Sequence, residues 1–161
     1  MTVAPDALSP ENALNWKNDK LEVRSTYVSA EHHCRHIVYN KSGVVVRHFH
    51  IDDDMIPGGT SDERCDYLLL DDTRKNAYYI ELKGSPSNTK KCLRQVKNVE
   101  ALLSPLLQGY QSLYRFVYKP THGHGKALNQ KGHYGGTEQE IINLMHKKKL
   151  IAQRSPVEEY I

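Results

Sequence analysis

The chain of 161 residues has no apolar run of about 18 residues, the length a membrane-crossing helix needs. No membrane span is expected from it. The start, MTVAPDALSPENALNW, carries acids and prolines in place of the charged region and apolar stretch of a secretion signal. Cysteine is scarce: Cys34, Cys65 and Cys92 form an odd set without CxxC spacing. A disulfide framework and a cysteine zinc site are therefore not expected, and a reducing cytoplasm is the predicted location. The 9 histidines include no HExxH motif and no Cys/His finger, which argues against structural zinc. Internal repeats and low-complexity tracts are also missing.

What is present has the balance of one soluble α/β domain over residues 1–161, with 39% hydrophobic and 25% charged residues. The net charge of +3 hides an asymmetry. From Asp52 to Asp72 there are eight acidic residues against Arg64 alone, whereas Lys83 to Gly136 holds nine Lys/Arg against Glu100 alone. Such a division sets a site that attracts cations beside a surface that attracts polyanions.

Residues 1–19 read as a loose leader or a short peripheral helix, and 29–119 as the core. Leu21–Val28 alternates as an edge strand. Ser29–Asn40 places Cys34, Ile37 and Val38 at helical spacing, which predicts a helix stopped by Gly43. Strands are predicted at Val44–Ile51, Arg64–Asp71 and Asn76–Lys83, the last two as an antiparallel hairpin. A long helix follows over Asn88–Gln108, kinked near Pro105, and then a fourth strand over Ser112–Lys119. Residues 120–136 form a basic Gly/His-rich loop, and 137–161 a C-terminal helix and tail, with a Thr137/Glu140 capping box. The order is αβββαβ, which implies a mixed sheet flanked by helices.

The sharpest chemical feature is Asp66 on one strand with Glu81-Leu82-Lys83 at the end of the next. Strand alternation sends Glu81 and Lys83 to one face, and a hairpin brings Asp66 opposite that end. Two carboxylates and a backbone carbonyl suit Mg²⁺ or Mn²⁺, and a nearby ammonium can position water or offset charge on a pentavalent phosphate. Lys90, Lys91, Arg94 and Lys97 follow with no acid until Glu100, and Lys126 and Lys131 lie in the late loop. These cations are candidate phosphate contacts.

Asp66…Glu81-Leu82-Lys83 within an αβββαβ order resembles the PD-(D/E)xK nuclease superfamily, the restriction-endonuclease-like fold of restriction enzymes, Holliday-junction resolvases and RecB-type nuclease domains. Cys65 stands where the family name places proline. The resemblance spans about Ser29–Lys119. It implies metal binding by Asp66 and Glu81, a catalytic Lys83, a further acid from the first helix at Glu31, and a glutamine at Gln95. It implies a metal-dependent nuclease acting on DNA, with homodimerisation or membership of a larger complex as an option. The alternative is a catalytically silent nucleic-acid-binding subunit of the same fold. Cys34 is expected in the core, Tyr114 and Tyr118 against the sheet, and Asp52–Asp54 in a solvated loop.

Overall fold

Alternation at Val46–His50 and the apolar runs that follow it form strands where sequence periodicity places them. The computed structural model describes residues 2–51, 55–57, 64–120 and 138–161, with backbone only at 83 and 84. Its strands are β1 (Trp16–Lys17), β2 (Lys20–Leu21), β3 (Thr26–Glu31), β4 (Cys34–Tyr39), β5 (Val46–His50), β6 (Tyr67–Asp71), β7 (Asn76–Gly84), β8 (Gln111–Tyr118), β9 (Leu150–Arg154) and β10 (Val157–Tyr160). The helices are α1 (Thr89–Leu103) and α2 (Glu138–His146). Strands β5 to β9 make one sheet in sequential order. Neighbours are antiparallel from β5 to β7 and parallel from β7 to β9. The architecture is a mixed α/β arrangement built mainly on sheet.

Each face of that sheet is covered by a different layer. Leu68, Leu70, Ala77, Tyr79 and Phe116 pack with Leu93, Val96, Val99 and Leu103 of α1. Val46, Leu69, Tyr78, Ile80 and Leu82 face the other way, against Tyr27, Cys34, Val38 and Val157 of a smaller sheet ordered β10-β4-β3. Alternation along β6 and β7 thus serves two apolar layers. In α1 the apolar positions recur every three or four residues and turn one stripe inward. The helix ends at Leu103, short of the predicted Gln108. Ser104 keeps helical backbone, with φ −54° and ψ −37°, but Pro105 has no N–H to continue the ladder and its ring crowds the preceding turn, so the chain tightens into a 3-10 turn over Ser104–Leu106.

Three expectations are corrected. Ser29–Asn40 is not a helix: β3 and β4 pair antiparallel across the two-residue turn His32-His33, with Glu31 opposite Cys34. Both histidines have positive φ, 47° and 68°, the requirement of the type I′ hairpin turn. Tyr27 and Ser29 are buried while Val28 and Ala30 are exposed, a period of two that the helical spacing of Cys34, Ile37 and Val38 obscured. Around the C-terminus, α2 stops at His146 and Leu150–Arg154 is strand β9. Lys148 takes φ 57°, and the Lys149 and Lys148 N–H groups donate to the carbonyls of Leu144 and Met145, a Schellman closure. The leader is pinned as well: the buried Asn15 side chain donates to the carbonyls of Glu22 and Val46 and accepts from the His48 N–H. Residues 121–137, with Lys126, Lys131 and the Thr137 cap, lie outside the described residues, as do Asp52–Asp54.

Candidate functional site

Antiparallel pairing decides which carboxylates meet. Tyr67 is the partner of Ile80, and the Asp66 N–H donates to the Ile80 carbonyl at 3.0 Å. That bond lies outside the regular ladder, so the Asp66 main chain, like that of Tyr67, faces Ile80, one residue short of Glu81. Glu81 falls on the α1 face by alternation from Tyr79, and the charges of both carboxylates reach Cys92 of α1. The Leu82 N–H donates to Asp66 Oδ2 at 2.7 Å, so Asp66 also ties the start of β6 to the far end of β7.

Glu81 is buried at 7% exposure. Ionised carboxylates are rarely so enclosed without function or compensation. Their joint field reaches two thiols: burial raises Cys65 and Cys92 above the ordinary thiol range, and the charges of Glu81 and Asp66 raise them further. These thiols are protonated and inert as nucleophiles. Cys34 is wholly buried, as expected for a core thiol, though on β4 and not on a helix.

Helix α1 brings the next groups. Gln95 is buried at 5% exposure, and its Nε2 donates to the Arg64 carbonyl at 3.2 Å, two residues before Asp66. The expected glutamine therefore docks at the strand entrance that carries the aspartate. Lys91 precedes Gln95 by four residues and shares its helix side. Lys90, Lys91, Arg94 and Lys97 all line one open groove of about 470 Å³, closed on its far side by Glu140 of α2. Lys97 is the most engaged of these: its ammonium lies 3.9 Å from Glu100, 4.0 Å from Glu140 and 5.1 Å from the Tyr114 ring centre. Lys90 and Arg94 are exposed.

Two expected members stand apart. Glu31 is at the end of β3, not on a helix, and its Oε1 is 3.3 Å from His32 Nε2. The β3 layer covers the face opposite α1, so the fold does not gather Glu31 with Asp66 and Glu81. Lys83 lies on β7 two residues beyond Glu81, but pairing with β8 shifts register between Glu81 and Gly84, so simple alternation stops at Glu81. Among the described residues no three His, Cys, Asp or Glu side chains gather as a metal site. Magnesium is commonly held by one or two carboxylates with water and substrate oxygens completing the shell. An all-oxygen pair from Asp66 and Glu81 fits that demand and does not fit zinc.

Sequence reasoning missed two groupings. Across the hairpin layer, Arg115 makes a bidentate pair with Glu159 at 2.7 Å for each hydrogen bond, and His36 Nε2 lies 2.6 Å from the same carboxylate. Burial pushes Glu159 up, yet the His36 and Arg115 hydrogen bonds outweigh it and hold the carboxyl at about 2. A buried His/Arg/Glu triad drawn from residues 36, 115 and 159 leaves no local signal. At the hairpin tip, His32 and His33 share a cavity of about 500 Å³ with Lys119, just beyond β8. An Asn-Gly pair would have announced that turn, whereas His-His does not.

Among the described residues no helix is long and apolar enough to cross a membrane. No family model, no curated protein and no solved structure matches the chain.

Proposed function

We propose that the protein is a divalent-metal-dependent nuclease of restriction-endonuclease-like fold, with DNA as its substrate. The observation that carries this reading is that Asp66 and Glu81, whose charges both reach Cys92 of α1, sit under the helix whose outer side carries the groove of Lys90, Lys91, Arg94 and Lys97. An acidic pair under a helix that carries a row of cations suits a phosphodiester at the point of attack and its flanking phosphates. Strands β5, β6 and β7, helix α1 and strand β8 supply the βββαβ part of the expected order, with the β3–β4 hairpin where a first helix was expected.

Asp66 and Glu81 would hold Mg²⁺ or Mn²⁺, which supplies Lewis acidity toward a phosphoryl oxygen and a more acidic water. Asp66 can serve this role while its other oxygen keeps the Leu82 N–H. Gln95 fixes the approach of β6 to α1 and so the distance between the carboxylate strand and the cationic helix. In the proposed reaction Lys83 orients a water whose oxygen adds to phosphorus in line with the departing ester oxygen. The phosphorus–oxygen bond on the far side breaks, the attacking water gives up a proton to solvent, and the leaving oxygen takes one up.

The second reading is a silent nucleic-acid-binding subunit of a larger defence or repair assembly, and the lack of a third metal-binding side chain among the described residues favours it. The deciding assay incubates plasmid, linear and single-stranded DNA, and RNA, with Mg²⁺ or Mn²⁺. Wild type is compared with Glu81→Ala and Lys83→Ala. Cleavage by wild type alone supports the nuclease. Cleavage that survives both substitutions sinks the site, and salt-sensitive binding without cleavage by wild type selects the silent subunit.

A further inference from the structure

The cavity at the β3–β4 tip lies at the same end of the large sheet as the carboxylates, but on the other face. Strand β8 runs parallel to β7, with Phe116 the partner of Glu81 and Tyr118 the partner of Gly84. Lys119 therefore follows directly on the strand end that passes Glu81, about 10 Å further along at 3.3 Å per residue. The Tyr118 hydroxyl is 2.5 Å from Thr89 Oγ1 at the start of α1, which sets Tyr118 on the α1 side. Lys119, one residue on, joins His32 and His33 on the hairpin side. The hairpin tip is anchored to the acidic strand itself, because the hydroxyl of Tyr67, next to Asp66, donates to the Ala30 carbonyl at 3.1 Å.

The conformation of the tip points the same way. A non-glycine residue at positive φ is uncommon, and two in succession cost the hairpin stability that Asn-Gly would supply without strain. Their imidazoles stand at a cavity beside a lysine, where N–H donors and a positive charge suit an anion. The competing acid is Glu31, 3.3 Å from His32. With His32 60% and Glu31 31% exposed, that contact is open to water, and exchange for a phosphate costs little.

We propose that the pocket of His32, His33 and Lys119 is a second backbone-phosphate site for the same nucleic acid. The strand would cross the end of β7 with the α1 cations on one side of the carboxylates and the hairpin tip on the other. This rests on the nuclease reading, which identifies the polyanion. It adds an element from the opposite layer to the binding surface, and a reason for the histidines at a strained turn.

The test measures binding of a labelled duplex and a labelled single strand by fluorescence anisotropy, in Glu81→Ala protein with EDTA, across a salt series. His32→Asn combined with His33→Gly keeps, and relaxes, the type I′ turn, so thermal stability stays level or rises. The expected binding result is the reverse: weaker affinity from the lost imidazole donors, with a smaller salt slope for each charge lost from the site. The slope should fall by about 0.9 for duplex, or about 0.7 for a single strand, for every phosphate the protein no longer neutralises. Lys119→Ala should do the same. For each duplex phosphate left without its cation, the deficit against the parent narrows about threefold between about 50 and 200 mM salt. Parent-like affinity and slope in both tip variants, while Lys90→Ala with Arg94→Ala weakens binding, overturns this site alone. Binding that no variant alters, or no binding at all, removes the nucleic-acid reading and this site with it.

Discussion

His48 turns burial into a pH dependence that can be measured. It lies on β5 at 3% exposure, its Nε2 is 2.8 Å from Ser29 Oγ, and its ring stacks on Tyr67 with centroids 5.6 Å apart. Burial, chiefly, and the positive charges of His36, Arg24 and His50 lower its pKa from 6.5 to about 4. The folded protein therefore holds His48 neutral where the unfolded chain protonates it. Unfolding takes up a proton between those two values, so this contribution is complete above pH 6.5 and is lost as pH falls toward about 4. At about 1.4 kcal/mol per pH unit the interval is worth about 3 kcal/mol, a large share of a typical domain's 5–15 kcal/mol. Urea unfolding at pH 7.5, 6.5, 5.5 and 4.5 reads it directly, with His48→Gln as the comparison, since a glutamine amide can reach Ser29 and does not titrate. Wild type should lose about 3 kcal/mol more than His48→Gln across the window. Parallel stability curves for the two proteins, or a His48 NMR titration midpoint near 6.5, would refute the reasoning.

Other expectations are as concrete. Arg115→Met should destabilise by about 2–3 kcal/mol in guanidinium unfolding, because it leaves the half-buried Glu159 beside His36 alone; adding Glu159→Leu should recover much of that stability. Mg²⁺ should raise the melting temperature of wild type, by the equivalent of about 2.7 kcal/mol at a hundredfold excess over its Kd, and leave Glu81→Ala unmoved. Asp66→Ala should lose both the metal response and about 2 kcal/mol of stability through the Leu82 N–H, whereas Asp66→Asn retains an acceptor and keeps more of the stability. Within α1, Arg94→Ala and Lys90→Ala should weaken DNA binding more than Lys97→Ala, whose ammonium already faces Glu100, Glu140 and Tyr114; salt-dependent anisotropy separates them.

The sequence exposes β5, β6, β7, α1 and β8 because each carries one strong period and a bounding Gly, Pro or Asp. The approach of Asp66 to the end of β7 follows from the short turn Asp72–Lys75, which leaves only an antiparallel register. The hairpin layer was hidden for a different reason: Cys34, Ile37 and Val38 fit a helix repeat, and the turn is made by residues that seldom make it. At the other end, the sequence carries the C-terminal helix from Thr137 straight through Lys147–Lys149, but Lys148 at positive φ ends α2 before them and frees Leu150–Arg154 to pair with β8. Asn15 was unreadable because its value lies in three backbone partners brought together only by folding.

Strand β10 lies parallel to β4, with Val157 beside His36 and Tyr160 beside Tyr39. Roughly 120 residues of chain separate these partners, so the layer behind the acidic strands is among the last pieces to assemble, after the large sheet has brought its ends near one another. The hairpin tip thus owes its final setting to pairing made late and from far along the chain. Native-state hydrogen exchange should show β4 opening together with β10 as one unit, below the energy at which β6 and β7 separate, and that opening would release the tip from the end of the sheet while the two carboxylates stay in place.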